Sequence, residues 1–158
     1  MRHRLILAVA LAAALWTGAA SAQRAAALTA MDYIEIQQLY ARYNEAIDSG
    51  DADAYADTFT ADGAFNTFKG RDGLIDFIAQ WTGRMNGGSR RHWNTNLVIT
   101  PAPGGASGSV YLMLLDVSVR PPAIASTAKY NDTLVKTPQG WRFKTRTTRA
   151  DPAPSPRP

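Results

Sequence analysis

Four long strand-forming stretches, with no helical pattern between them, constrain the fold of this chain more than any other feature. They cover Arg91–Thr100, Ser107–Val119, Ile124–Thr137 and Trp141–Thr148. Turn signals that contain proline, glycine or both separate them, and the clearest is Pro138-Gln139-Gly140. Successive strands joined by short turns pair in antiparallel fashion. The second half of the chain is therefore predicted to form an antiparallel sheet.

Three helices are predicted before this sheet. Thr29 and Asp32 have the spacing of a capping box, and apolar residues then recur at helical spacing until about Ser49. The second helix, Ala54–Thr58, is short, and the third covers about Gly73–Arg84. Helices followed by a run of strands are typical of the α+β class.

Between the second and third helices, Thr60–Gly63 is predicted to be a turn and Ala64–Phe68 a short strand. The resulting fold has three N-terminal helices packed on a curved antiparallel sheet, which would enclose a pocket. The chain of 158 residues is long enough for one domain with a core and too short for two. It has no cysteine, which excludes disulfides and cysteine-ligated zinc.

The first 22 residues have the pattern of a signal peptide. Arg2 and Arg4 precede an apolar run, Leu5–Trp16, and Ala20-Ser21-Ala22 is a small-x-small cleavage site. We expect a mature chain that begins at Gln23, works in the periplasm or outside the cell, and has no stable membrane insertion. An uncleaved anchor is the alternative.

The domain is expected over residues 23–150, followed by a disordered, proline-rich tail at 151–158. The formal charge of +4 falls to +2 once Arg2 and Arg4 are removed. The remaining basic clusters lack the aromatic pattern of a single-strand nucleic-acid binder. No nucleic-acid partner is therefore expected.

His92 is the one histidine outside the predicted signal peptide, and it opens a stretch of alternating residues. The alternation predicts that one face of the strand carries His92, Asn94, Asn96 and Val98. The other face would carry Trp93, Thr95, Leu97 and Ile99. A histidine there is either a general acid or base or a structural residue with satisfied hydrogen bonds.

Four phrases, in this order, resemble the SnoaL-like branch of the nuclear transport factor 2-like superfamily: YARYNEAIDSGDADAYADTFTADGAF, GRDGLIDFI, RHWNTNLVI and KYNDTLVKTPQGWRFKTR. The resemblance covers about residues 28–149. It implies a cone-shaped, cystatin-like α+β barrel. The superfamily includes dehydratases, isomerases, cyclases, epoxide hydrolases and many members without a known activity, so the fold does not fix the function.

Within the superfamily, the site layout is similar to that of scytalone dehydratase and the bile-acid dehydratase. The resemblance implies that Asp48, at the end of the first helix, and His92 form a catalytic pair. Tyr43 and Asp116 match further positions of the bile-acid enzyme, and Arg146 is the candidate match for an arginine on its last strand. Scytalone dehydratase has a second histidine where this chain has Asp116, so the chain departs from that enzyme.

Loss of water beside a carbonyl group needs a base for the α-proton and an acid for the leaving hydroxyl. Asp48 would orient His92 and fix its tautomer, and Tyr43 would donate to the carbonyl oxygen. Asp116 would assist proton transfer or hold a hydroxyl. Arg146 and Asn94 are further candidates for substrate binding.

A pocket lined by Tyr40, Trp81, Leu112 and Tyr130 would suit a cyclic or aromatic compound. No cofactor and no metal are expected, since one histidine and scattered carboxylates make a poor zinc site. The residues also allow other interpretations. Tyr43 fits a core aromatic residue, and Asp48 fits a cap of the second helix. A non-catalytic small-molecule binder and a dimerisation module remain open, and the resemblance implies a homodimer.

Overall fold

The computed structural model describes residues 26–85 and 87–152. The predicted signal peptide and residues 153–158 of the predicted tail lie outside this part of the chain. Residues 151 and 152 are described, and they belong to no helix or strand. Among the described residues, no helix has both the length and the apolar character needed to cross a membrane.

The three predicted helices are present as α1 (Ala30–Ser49), α2 (Ala52–Ala56) and α3 (Gly70–Thr82). The capping box at the start of α1 is confirmed, because Thr29 and Asp32 exchange hydrogen bonds between side chain and backbone. A left-handed Gly50, with φ of 73°, ends the helix.

The cap of α2 is Asp51, whose Oδ1 accepts the backbone N–H of Ala54 at 3.0 Å. Asp48 therefore does not cap α2, and its carboxylate is free to contact another element. The second and third helices begin two to three residues earlier than the hydrophobic pattern predicts.

Six strands form one curved, unclosed sheet against which the helices pack. The strands are β1 (Phe59–Phe65), β2 (Phe68–Lys69), β3 (Arg90–Ala102), β4 (Gly105–Asp116), β5 (Ala123–Thr137) and β6 (Gly140–Ala150). Their order is β2-β1-β6-β5-β4-β3. The predicted α+β fold is confirmed. The sheet is mixed, because β1 runs parallel to β6 while the other neighbours are antiparallel.

The predicted turn at Thr60–Gly63 is wrong, because these residues lie inside β1. The register of β1 against β6 shifts between Phe59 and Ala64, which marks a bulge rather than a turn. Gly63 permits it: an added Cβ would lie 2.8 Å from the Cβ of Phe59. The predicted strand Ala64–Phe68 is also wrong, since the chain reverses at Asn66, with φ of 50°, and pairs β1 with β2.

The predicted faces of β3 hold only for its first half. His92 is buried and Trp93 is exposed, as the alternation predicts. The register against β4 then shifts between Thr95 and Val98, and Asn96 has φ of 55°. This bulge turns Leu97 and Ile99 towards the core and leaves Asn96 and Val98 exposed, opposite to the prediction.

The core lies between the helices and the inner face of the sheet. It contains an aromatic cluster in which the ring centroids of Tyr43 and Tyr55 are 5.0 Å apart and those of Tyr43 and Phe143 are 5.6 Å apart. Aromatic pairs at these separations contribute beyond the burial of their area. Phe65 and Tyr130 contact this cluster and also line a cavity beside it.

Candidate active site

His92 and Asp48 contact each other through two hydrogen-bonding groups. The Nδ1 atom of His92 lies 2.6 Å from Oδ1 of Asp48, and the backbone N–H of His92 donates to Oδ2 of Asp48 at 3.0 Å. Asp48 lies in the last turn of α1 and His92 near the start of β3, so the pair joins the helix to the sheet. The imidazole is held in place and only 5% of the residue is exposed.

His92 also lines a cavity of about 250 Å³. Residues from α1, α3 and the sheet form its wall: Ile47, Phe65, Asn66, Phe77, Trp81, Arg84, His92, Leu112, Leu114, Ser126, Thr127, Ala128, Tyr130, Thr148 and Ala150. The wall is mostly apolar, with a few polar groups, as is usual for sites that bind small molecules. Larger grooves exist, but the one of about 540 Å³ between α1 and α2 does not include His92.

Two polar atoms of this wall are buried without a hydrogen-bond partner, namely Nε1 of Trp81 and Oγ1 of Thr148. The ring of Trp81 lies 5.6 Å from that of His92, measured between centroids, and stacks on Phe77 from its own helix. Buried polar groups are nearly always paired, and an oxygen atom of a bound ligand would satisfy each of these two groups.

Five of the sequence-predicted residues line this cavity or support it. His92, Trp81, Tyr130 and Leu112 belong to the wall, and Asp48 stands behind His92. Asp48 itself lines a second, open groove of about 430 Å³, which His92 also lines. His92 therefore lines both the mostly apolar cavity and this more polar groove.

Arg146 is not in the cavity wall, contrary to the prediction that it binds substrate. It is fully buried, and its Nε and Nη2 atoms each donate to Asp132 at 2.8 Å. Four aromatic rings surround its guanidinium at 4.0 to 4.7 Å, those of Tyr40, Tyr43, Tyr130 and Phe143. This is a buried ion pair in an aromatic cage, and it serves the core.

Tyr40 and Tyr43 belong to the same buried cluster rather than to the cavity wall. The hydroxyl of Tyr40 donates to Asp132, and the hydroxyl of Tyr43 lies 3.3 Å from that of Tyr55. Burial raises the pKa of Tyr40 and of Tyr43 well above the ordinary value of a tyrosine. Tyr43 therefore fits the interpretation as a core aromatic residue. Because it does not line the cavity, its hydroxyl is not placed to donate to a substrate carbonyl there.

Asp116 lies at the end of β4 and is bound to other groups. Its Oδ2 is 3.1 Å from Nη1 of Arg90, and the backbone N–H and hydroxyl of Ser118 donate to its Oδ1. These hydrogen bonds, above all the one from the Ser118 side chain, lower the pKa of Asp116. Asp116 does not line the cavity. It forms an ion pair with Arg90 at the end of β4 instead of taking the predicted catalytic position.

Asn94 is also outside the cavity wall. Its Nδ2 donates to Oδ1 of Asn44 at 3.2 Å, which ties β3 to α1, and its own Oδ1 is buried without a partner. Sequence reasoning missed Thr148, Asn66 and Arg84 as wall residues. The sequence could have indicated Thr148, because it follows Arg146 by two positions and therefore lies on the same, inward face of β6.

No group of three or more histidine, aspartate or glutamate side chains within residues 26–85 and 87–152 is arranged to hold a metal ion. Among the side chains that line the cavity, the His92 imidazole is the one suited to acid–base chemistry near neutral pH, and Asp48 is its hydrogen-bond partner. With Nδ1 engaged by Asp48, the nitrogen left for chemistry is Nε2.

Comparison with known proteins covers most of the chain. Residues 29–147 match the SnoaL-like domain family. No curated protein matches. Among solved structures, a cystatin-like protein of unknown function from Nostoc punctiforme is 27% identical, with a TM-score of 0.68, over 80% of this chain and 96% of that one.

Two further structures are similar to the same degree. Aln2 from a Streptomyces species is 26% identical, with a TM-score of 0.71, over 78% of this chain and 93% of that one. A protein from Catenulispora acidiphila, solved in complex with S-DNPA, is 27% identical, with a TM-score of 0.67, over 77% of this chain and 95% of that one. The chain belongs to the SnoaL-like domain family, with an α+β fold of the cystatin-like type.

Proposed function

We propose that this protein is a cofactor-independent dehydratase or isomerase that acts on a small cyclic or aromatic hydroxy-carbonyl compound. One observation carries the proposal: a histidine bound by a carboxylate forms part of the wall of a largely apolar cavity. A histidine that only stabilises the core requires hydrogen-bond partners, whereas a catalytic histidine must also lie next to space for a substrate.

The reaction follows from the chemistry of one imidazole. Neutral Nε2 of His92 takes the proton from the carbon next to the substrate carbonyl, and the electron pair moves to the carbonyl oxygen as an enolate. The enolate then re-forms the carbonyl, a carbon–carbon double bond forms, and the bond to the β-hydroxyl breaks. The proton on Nε2 passes to the leaving oxygen, so water departs and the imidazole returns to its neutral form.

Asp48 supports both halves of this cycle. By accepting from Nδ1, it keeps Nε2 free to receive a proton, and its negative charge stabilises the imidazolium that forms. Isomerisation uses the same first step, followed by return of the proton to a different carbon. The cavity of about 250 Å³ is suited to one or two small rings.

The test is a set of cyclic β-hydroxy ketones, with formation of the unsaturated ketone followed by absorbance. We expect His92→Gln and Asp48→Ala to lower kcat by roughly 10²- to 10⁴-fold without loss of folding. Asp51→Ala is a matched control, since it removes a carboxylate three residues away that caps α2. Turnover that survives His92→Gln would overturn the proposal.

A non-catalytic binder of small molecules is the second candidate. The similar protein from Catenulispora acidiphila was solved in complex with S-DNPA, and this supports a binding role for the shared fold. For such a binder, ligand affinity would survive His92→Gln, and no member of the β-hydroxy ketone set would be converted.

We further propose that the protein works after export, because residues 1–22 have the pattern of a cleaved signal. Mass spectrometry of the protein from the periplasm or medium should give a chain that begins at Gln23. Recovery of the whole chain, beginning at Met1, from the cytoplasm alone would contradict this.

A further inference from the structure

We propose that Nε1 of Trp81 is the donor that binds the carbonyl oxygen of the substrate, and that Oγ1 of Thr148 binds a second oxygen of the same molecule. The inference rests on the proposed function for its chemistry, and it names the two side chains that bind the oxygens of the substrate. Neither residue is assigned this role by the match to the SnoaL-like family.

Trp81 lines the cavity, and its indole N–H has no hydrogen-bond acceptor. An indole N–H only donates, and Nε1 of Trp81 is buried without an acceptor. A buried donor without a partner is costly, so a ligand that supplies an oxygen there gains more than it would in water. Trp141 shows the ordinary case, since its Nε1 donates to Oδ1 of Asp32 at 3.0 Å.

The position of Trp81 fits the carbonyl of the reacting group. The carbon that loses its proton is directly bonded to the carbonyl carbon, so the base and the donor to the carbonyl oxygen must lie side by side. The Trp81 and His92 rings are neighbours in the wall, with centroids 5.6 Å apart. A fixed donor at this place stabilises the enolate as its charge develops.

Thr148 offers a second anchor on another part of the wall. It pairs with Tyr130 across β5 and β6, and its backbone N–H donates to Oδ1 of Asn66 at 2.9 Å, which holds the residue in place. Its Oγ1 is buried without a partner, and the residue lines the same cavity. Apolar side chains such as Phe77 and Leu112 form other parts of the wall, which suits a ring better than a further polar group.

The first experiment uses indanone, a bicyclic ketone, and indane, which has the same rings without the oxygen. In the full chain labelled with ¹⁵N, we expect indanone to shift the Trp81 indole N–H proton signal downfield and indane to leave it near its free position. The Trp141 signal is an internal control, because that N–H is already bonded to Asp32. Trp81→Phe assigns the signal.

A second experiment isolates the threonine hydroxyl. Thr148→Val removes the hydroxyl at nearly constant volume, and it should weaken binding of a hydroxyindanone relative to indanone by roughly three- to tenfold. Thr145→Val, on the exposed face of the same strand, should leave the ratio unchanged.

Several results would overturn the inference. These are equal indole shifts with indanone and indane, no binding of indanone, or an unchanged binding ratio in Thr148→Val. The test is separate from turnover. If His92→Gln and the wild type show the same indole shift but no β-hydroxy ketone is converted, the role of Trp81 in binding is supported and the catalytic proposal fails.

If β-hydroxy ketones are converted without an indole shift, the catalytic proposal is supported and the binding role of Trp81 is contradicted.

Discussion

At the scale of single residues, Asp48 does two things with one carboxylate. It accepts from the Nδ1 atom of His92 and from the backbone N–H of the same residue, so the ring and the strand that carries it are fixed together. Ring orientation set in this way limits the imidazole to one reactive nitrogen. The pair is therefore organised before any ligand binds.

Arg146 provides a prediction about stability. Arg146→Met removes a cation that makes two hydrogen bonds to buried Asp132, and it leaves that carboxylate uncompensated. We expect a loss of about 3–5 kcal/mol in the free energy of unfolding, measured by urea denaturation. Arg149→Met, at an exposed position on the same strand, should change it by less than about 0.5 kcal/mol. Equal effects of the two substitutions would contradict the assignment.

The resemblance to the SnoaL-like branch predicts the pairing of Asp48 with His92, but it also places Tyr43 and Arg146 at the substrate, where the structure does not have them. Both lie on inward faces, as their positions in α1 and β6 indicate, yet the pattern does not tell a core position from a cavity position. The partner of Arg146 is Asp132, which is fourteen residues away and opposite it in the register of β5 and β6. That register depends on a bulge that the sequence does not reveal.

At the scale of secondary structure, local chemistry predicts where α1 begins and ends. Asp32 completes the capping box and also accepts hydrogen bonds from Lys136 and Trp141, so it joins α1 to the last hairpin. Side-chain hydrogen bonds, first from Lys136 and then from Thr29, hold the pKa of Asp32 well below its ordinary value. The helix start is therefore sensitive to acid.

The lowered pKa of Asp32 makes the free energy of unfolding depend on pH. A carboxyl whose pKa is lower in the folded state contributes stability above its unfolded pKa of about 4, and it loses that contribution as the pH falls towards the folded pKa. We expect Asp32→Asn to reduce the free energy of unfolding at neutral pH, with the difference from wild type shrinking below about pH 4.

Asp72→Asn is the control for that measurement, because Asp72 is an exposed acid in the first turn of α3. Chemical denaturation at a series of pH values gives both curves. A difference between Asp32→Asn and wild type that stays constant down to about pH 2 would contradict the linkage.

Strand positions are harder to derive than helix ends. The bulge at Asn96 reverses the faces of β3, and it needs a positive φ that alternation of polar and apolar residues does not encode. The parallel pairing of β1 with β6 joins two segments that are far apart in the chain, and no turn signal marks it. Within β1, the residues Thr60–Gly63 are of types common in turns, and for this reason the sequence predicts a turn there.

At the scale of the whole molecule, the outer face of the sheet carries several exposed apolar side chains. Trp93 and Val98 are each 58% exposed and Tyr111 is 48% exposed. They come from the neighbouring strands β3 and β4, on the side away from the core. Exposed apolar groups that gather on one surface are typical of a binding interface.

We propose that two copies of the chain pair through this face. Val98→Lys and Tyr111→Lys should each weaken the dimer by roughly tenfold or more, measured by sedimentation velocity over a range of concentrations. Ile34→Lys is the control, since Ile34 is 52% exposed but lies on α1. A wild-type chain that sediments as a monomer, or a dimer weakened equally by Ile34→Lys, would contradict this interface.

The most direct test of the catalytic account is the tautomer of His92, read from the ¹⁵N shifts of its ring at a pH where the ring is neutral. The signals are assigned by their loss in His92→Gln. Because Asp48 lies 2.6 Å from Nδ1, we expect the proton on Nδ1 and a bare Nε2, and we expect Asp48→Ala to abolish this preference. A proton on Nε2 in the wild type, or a mixture that Asp48→Ala does not change, would contradict the account.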